Sequence, residues 1–146
     1  MTKNQTAPRI LSVLAALCLL LTSLTACSGG ITREEAKTAM DSLLSALDNE
    51  NYTEAAALYH PDAAMTEELL AAFAEQVKTK VGIDLTEGAA AEKITGISTS
   101  YYDSNVDGSR YALTARIKAG DKTADLTVEV IRNDKGYGIF RVECNP

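Results

Sequence analysis

The sequence predicts an α+β domain in which three N-terminal helices pack on a four-stranded antiparallel sheet. From Thr32 to Gly82 the apolar residues recur with the period of a helix, whereas from Ile94 to Cys144 they alternate with the period of a strand. Short turn motifs separate the alternating runs, which favours hairpins over helical crossovers. We therefore expect one domain over residues 32–146.

The helical half contains three segments with recognisable ends. Thr32 precedes a glutamate by three residues, which is the capping-box pattern, and Asn51 stands in the same relation to a glutamate at the start of a short second helix. The third helix is expected to begin at Thr66 and to stop at Gly82. Its predicted buried stripe consists of Leu69, Phe73, Val77 and Val81.

The second half contains four runs of strand-forming residues. Apolar and polar residues alternate in three of them, and the side chains expected to face the helices are Tyr111, Leu113, Ala115, Ile117, Leu126, Val128 and Val130. In the last strand, Phe140, Val142 and Cys144 are expected to share one face. The run from 94 to 102 alternates poorly, so its register stays open. Turns are predicted at 105–108, 120–121 and 133–136.

The N-terminal segment predicts where the protein works. A basic head precedes an uncharged, mostly apolar run from Ile10 to Leu24, and residues 24–27 are Leu-Thr-Ala-Cys. This order is typical of a secretory signal, and an apolar run of about 15 residues is shorter than the roughly 20 that span a bilayer. The last four residues resemble a bacterial lipobox, which implies a signal peptide over 1–26 and a diacylated Cys27.

A lipid on Cys27 implies attachment to the extracytoplasmic face of the cell membrane. Two acyl chains anchor a protein stably, whereas one does so only marginally. Residues 27–31 would form a tether of about 15 Å, at about 3.5 Å per residue, so the domain is expected close to the membrane surface. The alternatives are an ordinary secreted protein and an uncleaved anchor.

Charge and cysteine content exclude several classes of protein. The chain has 14 Lys and Arg against 20 Asp and Glu. Two of the cationic residues lie in the predicted signal, so the mature part has a formal net charge of −8. It has no basic stripe, and we expect no nucleic-acid partner. With Cys18 in the signal and Cys27 lipidated, only Cys144 remains, as an inward-packed strand residue without a disulfide partner.

Residues 39–59 contain a family signal. They include the segments LLSAL, DNENY and AAALY in that order. This stretch resembles the opening helical hairpin of nuclear transport factor 2-like domains, which are cone-shaped and which small lipoproteins of Gram-positive bacteria often carry. The helix order and strand meander extend the similarity to about residues 32–143. The resemblance implies a curved sheet, and with four strands the cone is expected to be shallow.

The same resemblance indicates where catalytic groups would lie. Enzymes of this fold, such as ketosteroid isomerase, place a carboxylate base and a hydroxyl donor inside the cone. The clearly inward strand positions of this chain carry no carboxylate, so its cavity is expected to be apolar and to suit binding better than proton transfer. Asp84 and Glu87 could still reach a cavity mouth from the loop after the third helix.

His60 is the only histidine of the chain. No nucleophile motif accompanies it, and one histidine with one free cysteine is too few for a zinc site. Because His60 precedes a proline, which ends the second helix, we expect a structural role at that helix end.

Residues 103–108 match the first half of a calcium loop. The oxygen donors would be Asp103, Asn105 and Asp107. The twelfth position, where a bidentate glutamate belongs, is Thr114. A hairpin turn with positive φ at Asp107 and Gly108 is therefore preferred, and we expect neither a metal nor another cofactor.

Two hypotheses follow for function. The leading one is a non-enzymatic lipoprotein whose domain binds a membrane-proximal protein or a small apolar ligand. The alternative is a small cone-pocket enzyme of the isomerase or hydrolase type. An enclosed pocket of about 300 Å³ or more, with a carboxylate beside a tyrosine, would favour the enzyme.

Overall fold

The computed structural model describes residues 30–103 and 106–146, so the predicted signal peptide and Cys27 lie outside the described residues. The helices are α1 (Arg33–Asp48), α2 (Tyr52–Ala57), a 3₁₀ turn (Pro61–Ala63) and α3 (Glu67–Gln76), which continues as a π-helical turn (Val77–Val81). The strands are β1 (Ala90–Asp103), β2 (Val106–Ala119), β3 (Lys122–Asn133) and β4 (Gly136–Asn145). The α+β order predicted from the sequence is confirmed. None of the described helices is long and apolar enough to cross a membrane.

The predicted helix caps are confirmed. The Thr32 hydroxyl accepts a hydrogen bond from the backbone N–H of Glu35, and the Glu35 carboxylate accepts one from the backbone N–H of Thr32. Asn51 and Thr66 cap α2 and α3 in the same way through their side chains. Gly82 ends the last helical turn with φ 83°, a left-handed conformation that glycine adopts without strain.

The predicted stripe of α3 is wrong at one position. Leu69 is 53% exposed, whereas Leu70 is fully buried. Both leucines fit a helical spacing to Phe73, at four and at three residues, so the sequence alone could not choose between them. In the structure Leu70 and Val77 lie in the core, with Phe73 and Val81 packed at its margin.

The four strands form one antiparallel sheet in the order β1-β2-β3-β4. All seven strand side chains predicted to face the helices are buried, which confirms the assignment of faces in β2 and β3. Leu113 of β2 lies opposite Val128 of β3 at the centre of this face, and α1 packs against both strands. The core therefore lies between α1 and the middle of the sheet.

Bulges account for the irregular strands. In β1, Glu92 and Thr95 have no register partner in β2, which explains why the alternation of this run is poor. In β4, Phe140 is the extra residue, so Ile139 instead joins Val142 on the core side. The expectation that Phe140 shares a face with Val142 is wrong, because one inserted residue reverses the alternation.

Two of the three predicted turns are confirmed, at Gly120–Asp121 and at 133–136. The first turn lies earlier than expected, because Asp103 pairs with Val106. Asp107 and Gly108 consequently belong to β2. Gly108 has φ 124°, and a Cβ there would overlap the carbonyl oxygen of Arg132, so glycine allows β3 to approach closely.

The two edges of the sheet differ. At the β4 edge, the backbone N–H of His60 donates to the Ile139 carbonyl (2.8 Å), and the Ile139 N–H donates to the Leu58 carbonyl (2.9 Å). A Cβ at Gly138 would overlap the backbone of His60, so the covering segment lies directly against β4. Among the described residues, no strand pairs with β1 on the side away from β2.

Candidate functional site

A groove between α1 and the β1–β2 hairpin is the best candidate for a ligand site, and we call it the basic groove. Its volume is about 300 Å³. The half-buried side chains of Ala91 and Ile94 line it, with buried core residues directly beneath: Met40, Leu113 and Ala115. Three cationic residues, Arg33, Lys37 and Lys93, border it, together with Glu92.

The spacing of residues in α1 explains how the groove acquires its cations. Arg33, Lys37 and Met40 are separated by four and three residues, so they lie along one side of the helix. Met40 enters the core, while the two cations stay at the surface. Lys37 forms an ion pair with Asp41 one turn further on, whereas Arg33 forms no ion pair with any described residue. Among the cations that border the groove, Arg33 and Lys93 thus have no ion-pair partner within the described part of the chain, and Arg33 is the one of these two that lies on α1.

A second groove lies on the other side of α1, and we call it the acidic groove. It is an open depression of about 450 Å³. Glu34 and Glu35 border it, and Ala39, Leu58 and Tyr137 supply apolar surface. It therefore places a carboxylate, Glu35, beside a tyrosine, which is the pair that the enzyme hypothesis requires.

The polar groups of that pair already have structural partners. The Glu35 carboxylate accepts hydrogen bonds from Arg132 (2.6 Å) and from Thr32, and the Tyr137 hydroxyl donates to the Glu35 carbonyl (3.0 Å). Burial alone would raise the pKa of Glu35, but the hydrogen bonds from Thr32 and Arg132 outweigh it and lower the pKa. Burial, followed by the negative charge of Glu35, raises the pKa of Tyr137 to about 12. An ionised, arginine-bound carboxylate beside a neutral phenol in an open groove suits a structural contact better than proton transfer.

Neither loop carboxylate lines the basic or the acidic groove. Asp84 accepts hydrogen bonds from Lys78 (2.6 Å) and from both the hydroxyl and the backbone N–H of Thr86. These contacts, that of Lys78 first, lower the pKa of Asp84 to about 2. The backbone carbonyl of Glu87 accepts a hydrogen bond from Gly120 in the β2–β3 turn. The two residues stabilise loops. Asp84 also lines a small depression of about 120 Å³ beside Tyr52 and Lys78, so the expectation that it could reach a cavity mouth is met there and not at the two larger grooves.

His60 caps the 3₁₀ turn, which confirms its role at a helix end. Its Nδ1 accepts a hydrogen bond from the backbone N–H of Asp62 (3.1 Å), and its Nε2 lies 2.9 Å from Oδ1 of Asn133. This pattern requires a neutral ring with the proton on Nε2, a tautomer assigned here from the hydrogen bonds. The ring is 1% exposed, so the contact with Asn133 joins the helical half to β3 out of reach of solvent.

Cys144 lies half-buried on β4, as expected for an inward-packed strand residue. It lines a shallow groove of about 270 Å³ together with Phe73 and Val77 of the third helix and its π turn. Burial, and next the charge of Asp125, raise the pKa of the thiol to about 11. A thiol that stays protonated is a poor nucleophile, which agrees with a packing role.

Metal-ligating side chains are scattered in the described part of the chain. Among residues 30–103 and 106–146, no group of three or more His, Cys, Asp and Glu residues could hold a metal ion. Asn105 and the side chains of Asp103 and Asp107 lie outside the described part of the structure, so the preference for a turn over a calcium loop stays a prediction.

Sequence reasoning missed the basic groove. Its signal was the spacing of Arg33 and Lys37 on the same side of α1 as Met40, because cations next to a buried position must border the core. The contribution of Ile94 had no signal, since the bulges hide the face of β1 on which it lies.

No family model matches the chain, and no curated protein matches it. Among solved structures, it is similar to a nuclear transport factor 2-like (NTF2-like) protein with a cystatin-like fold from Novosphingobium aromaticivorans. The two share 16% sequence identity with a TM-score of 0.44, over 92% of this chain and 88% of that chain. At this level of similarity the family of the chain stays the prediction that its sequence makes.

Proposed function

We propose that this chain is a lipid-anchored extracytoplasmic binding protein whose basic groove takes a small apolar ligand with an acidic group. The observation that carries the proposal is the guanidinium of Arg33, which has no ion-pair partner among residues 30–103 and 106–146, at the entrance of a groove with apolar walls. The ligand class follows from these two features, because an apolar body can displace water from Ile94 while an acid group pairs with the arginine.

The size of the groove limits the ligand. A volume of about 300 Å³ is at the lower end of the range for small-molecule sites, which is about 300–1,000 Å³. Met40, Leu113 and Ala115 are fully buried beneath the half-buried Ala91 and Ile94, so the ligand would lie along the groove and not in an enclosed cavity. A single unbranched chain with one acidic head fits this shape better than a fused-ring compound.

Local charge favours an anion although the mature chain is acidic. Arg33, Lys37 and Lys93 border the groove, and Glu92 is the one acidic residue that lines it. Acidic surface elsewhere repels an anion, so binding at this groove is favoured over the remainder of the protein. Arginine suits this role, because its planar donors can bind a carboxylate or phosphate with two hydrogen bonds.

The proposed anchor places the groove near a source of such ligands. The lipobox-like residues 24–27 would attach Cys27 to the membrane, and Thr32 is the N-cap of α1. Arg33 is the first residue of α1 and therefore lies next to the tether. Single-chain amphipathic acids partition into membranes, so the entrance of the groove would lie close to them.

Calorimetric titration of residues 30–146 with dodecanoate, in buffer without detergent, tests the ligand proposal. Arg33→Gln is expected to weaken binding about tenfold, which corresponds to about 1.4 kcal/mol, because it removes a charge-assisted hydrogen bond. Ile94→Phe should weaken it by filling the groove. Lys118→Gln is the matched control, since it removes one exposed cation from the opposite face of the sheet and should leave binding unchanged.

Two results would contradict this proposal. One is equal binding of dodecanoate and dodecanol, because an uncharged head gains nothing from Arg33. The other is an equal loss of affinity in Arg33→Gln and Lys118→Gln, which would indicate a general effect of net charge.

The anchor has its own test. Cys27→Ala removes the proposed lipidation site, so the protein should either stay an uncleaved precursor or appear in the medium. Fractionation of cells, with the size of the protein followed on gels, distinguishes these outcomes. If Cys27→Ala is processed and fractionates with membranes like the parent, Cys27 is not the lipidation site.

A further inference from the structure

The outer edge of β1 has no strand partner within the part of the chain that the structure describes. β1 pairs with β2 on one side only, and no described strand pairs with it on the other. Ile97, Ser98 and Thr99 are exposed, and Ile97 keeps half of its surface accessible to solvent. Unpaired backbone N–H and C=O groups along an edge strand form a template for another strand.

This edge has few of the features that normally prevent such pairing. Residues 94–102 contain no charged residue and no proline. Bulges at Glu92 and Thr95 disturb the first part of β1, but residues 96–100 pair with β2 in an unbroken register from Gly96–Thr114 to Ser100–Arg110. A regular, uncharged segment rich in β-branched residues is well suited to accept a neighbour.

We propose that β1 pairs antiparallel with β1 of a second copy of this chain, about a two-fold axis at Ser98. The two four-stranded sheets would then join into one continuous sheet. A two-fold axis requires a surface that is complementary to itself. The regular segment of β1 and the charges at its two ends both meet this requirement.

The charges at the ends of the segment specify the second copy and its direction. Lys93 precedes the uncharged run and Asp103 follows it, each five residues from Ser98. Antiparallel pairing about Ser98 brings the lysine end of one copy to the aspartate end of the other, twice in each dimer. Parallel pairing would instead bring like charges together, which disfavours it.

The regular register supports the same axis. Ser98 is the midpoint of residues 96–100, so the segment without bulges in one copy would lie along the corresponding segment of the other. In this arrangement Ile97 of one copy lies opposite Thr99 of the second copy. A β-branched pair on one face would cover part of the exposed Ile97.

Sedimentation equilibrium of the purified full chain in density-matched detergent tests the proposal. The parent is expected to dimerise, and Ser98→Lys should raise the dissociation constant of the dimer at least tenfold, because two lysines would face each other across the axis. Ser45→Lys adds the same charge at an exposed position of α1 and should leave the dimer intact. A monomeric parent at about 50 μM, or a Ser98→Lys variant that dimerises like the parent, would overturn the proposal.

Cysteine cross-linking tests the axis itself, in a background without the natural cysteines (Cys18→Ser, Cys27→Ser and Cys144→Ser). Residues directly opposite in antiparallel strands have Cα atoms about 4.5–5.5 Å apart, which a disulfide can bridge. Ser98→Cys should therefore form a cross-linked dimer on mild oxidation. Ser100→Cys is the control. In the proposed dimer the two cysteines at position 100 would be four residues apart along the strands, about 13 Å, which is too far for a disulfide bond. Equal cross-linking of the two variants, or none above background in Ser98→Cys, would show that no such axis exists.

Discussion

The β4 side and the β1 side of the same sheet are built in opposite ways. At β4 the chain covers its own edge, since residues 58–60 exchange backbone hydrogen bonds with Ile139. Gly138 and Ile139 are buried there. At β1, by contrast, none of the side chains from 90 to 100 is fully buried, and the outer edge has no described partner.

Polar contacts follow the same division. Around the β3–β4 hairpin, Arg132 pairs with Glu35, Lys135 pairs with Asp62, and Asn133 contacts the buried His60. Each of these contacts joins the helical half of the chain to the sheet, across more than 70 residues of sequence. The β4 side therefore joins the helical half to the sheet, whereas the outer edge of β1 has no strand partner among the described residues.

The largest expected difference between the two sides concerns glycine. Gly138→Ala should destabilise the protein by about 2–3 kcal/mol, because its Cβ would overlap the backbone of His60 and force the covering segment away. Gly96→Ala in β1 should change stability by less than about 1 kcal/mol, since its Cβ would meet only the side chain of Thr114 at 3.4 Å. Urea unfolding of both variants measures the difference. Equal effects would mean that the β4 edge is not closed as described.

A buried hydrogen bond provides the next largest effect. Asn133→Ala removes the partner of the His60 ring and should cost about 1–3 kcal/mol, because a buried N–H is then left unsatisfied. The matched variant on the β1 side is Thr95→Ala, whose hydroxyl makes a long, exposed contact of 3.4 Å to the Thr114 carbonyl. We expect a change of less than about 0.5 kcal/mol there. Chemical unfolding with the same denaturant compares them, and a larger loss in Thr95→Ala would reverse the ranking of the two sides.

The third difference depends on pH. The pKa of Glu35 in the folded protein lies below its ordinary value of 4.5. Its charge therefore stabilises the fold above about pH 4.5, and this contribution is lost as the pH falls through the folded pKa. Glu35→Gln keeps a side chain that can cap α1 but removes the ion pair with Arg132. Because the Glu35 side chain is 38% exposed and its charge is screened by solvent, Glu35→Gln should lower the free energy of unfolding by only about 0.5 kcal/mol at pH 7. This difference should vanish in acid.

Glu34→Gln is the control for this effect. Glu34 lies in the same first turn of α1 and forms no ion pair with any described residue. Unfolding curves from pH 3 to pH 7 should show a smaller pH-dependent difference for Glu34→Gln than for Glu35→Gln. Identical curves would mean that the helix terminus, and not the contact with Arg132, gives Glu35 its effect.

The sequence predicts well those parts of the fold that local interactions decide. The starts of the three helices are predicted by their N-cap residues, Thr32, Asn51 and Thr66. Each of these side chains accepts a hydrogen bond from a backbone N–H within three residues. Gly120 marks a two-residue turn in the same local way. All seven side chains that the alternation in β2 and β3 predicted to face the core do so, because neither strand needs an extra residue in the register that joins them. The prediction missed two small core residues at the strand ends, Ala119 and Ala124.

The sequence predictions fail where contacts between residues far apart in the chain determine the structure. Phe140 is displaced by a bulge that adapts β4 to β3, and Leu70 replaces Leu69 because of the direction from which neighbouring elements cover α3. The basic groove belongs to the same class, since it requires Arg33 of α1 to lie beside Ile94 of β1. The residues next to Arg33 in the sequence do not indicate its contact with β1. The capping residues, by contrast, can be predicted from their sequence neighbours alone.

Calcium gives the smallest expected effect, and it concerns the end of the β1–β2 hairpin. Asp103 pairs with Val106, which places Asp103 and Asp107 on two antiparallel strands, whereas a calcium loop draws these ligands from one continuous turn. A real site at about 100 times its dissociation constant would add about 2.7 kcal/mol, or several degrees of melting temperature. We expect a shift below about one degree between chelator and about 10 mM calcium, a concentration about 10 to 100 times the dissociation constants of weak extracellular sites. Asp134→Ala, in the β3–β4 turn, controls for loss of one surface charge. A clear rise in melting temperature that disappears in Asp107→Ala and persists in Asp134→Ala would make this hairpin a metal site, and the β1 side would then bind through its tip as well as its groove.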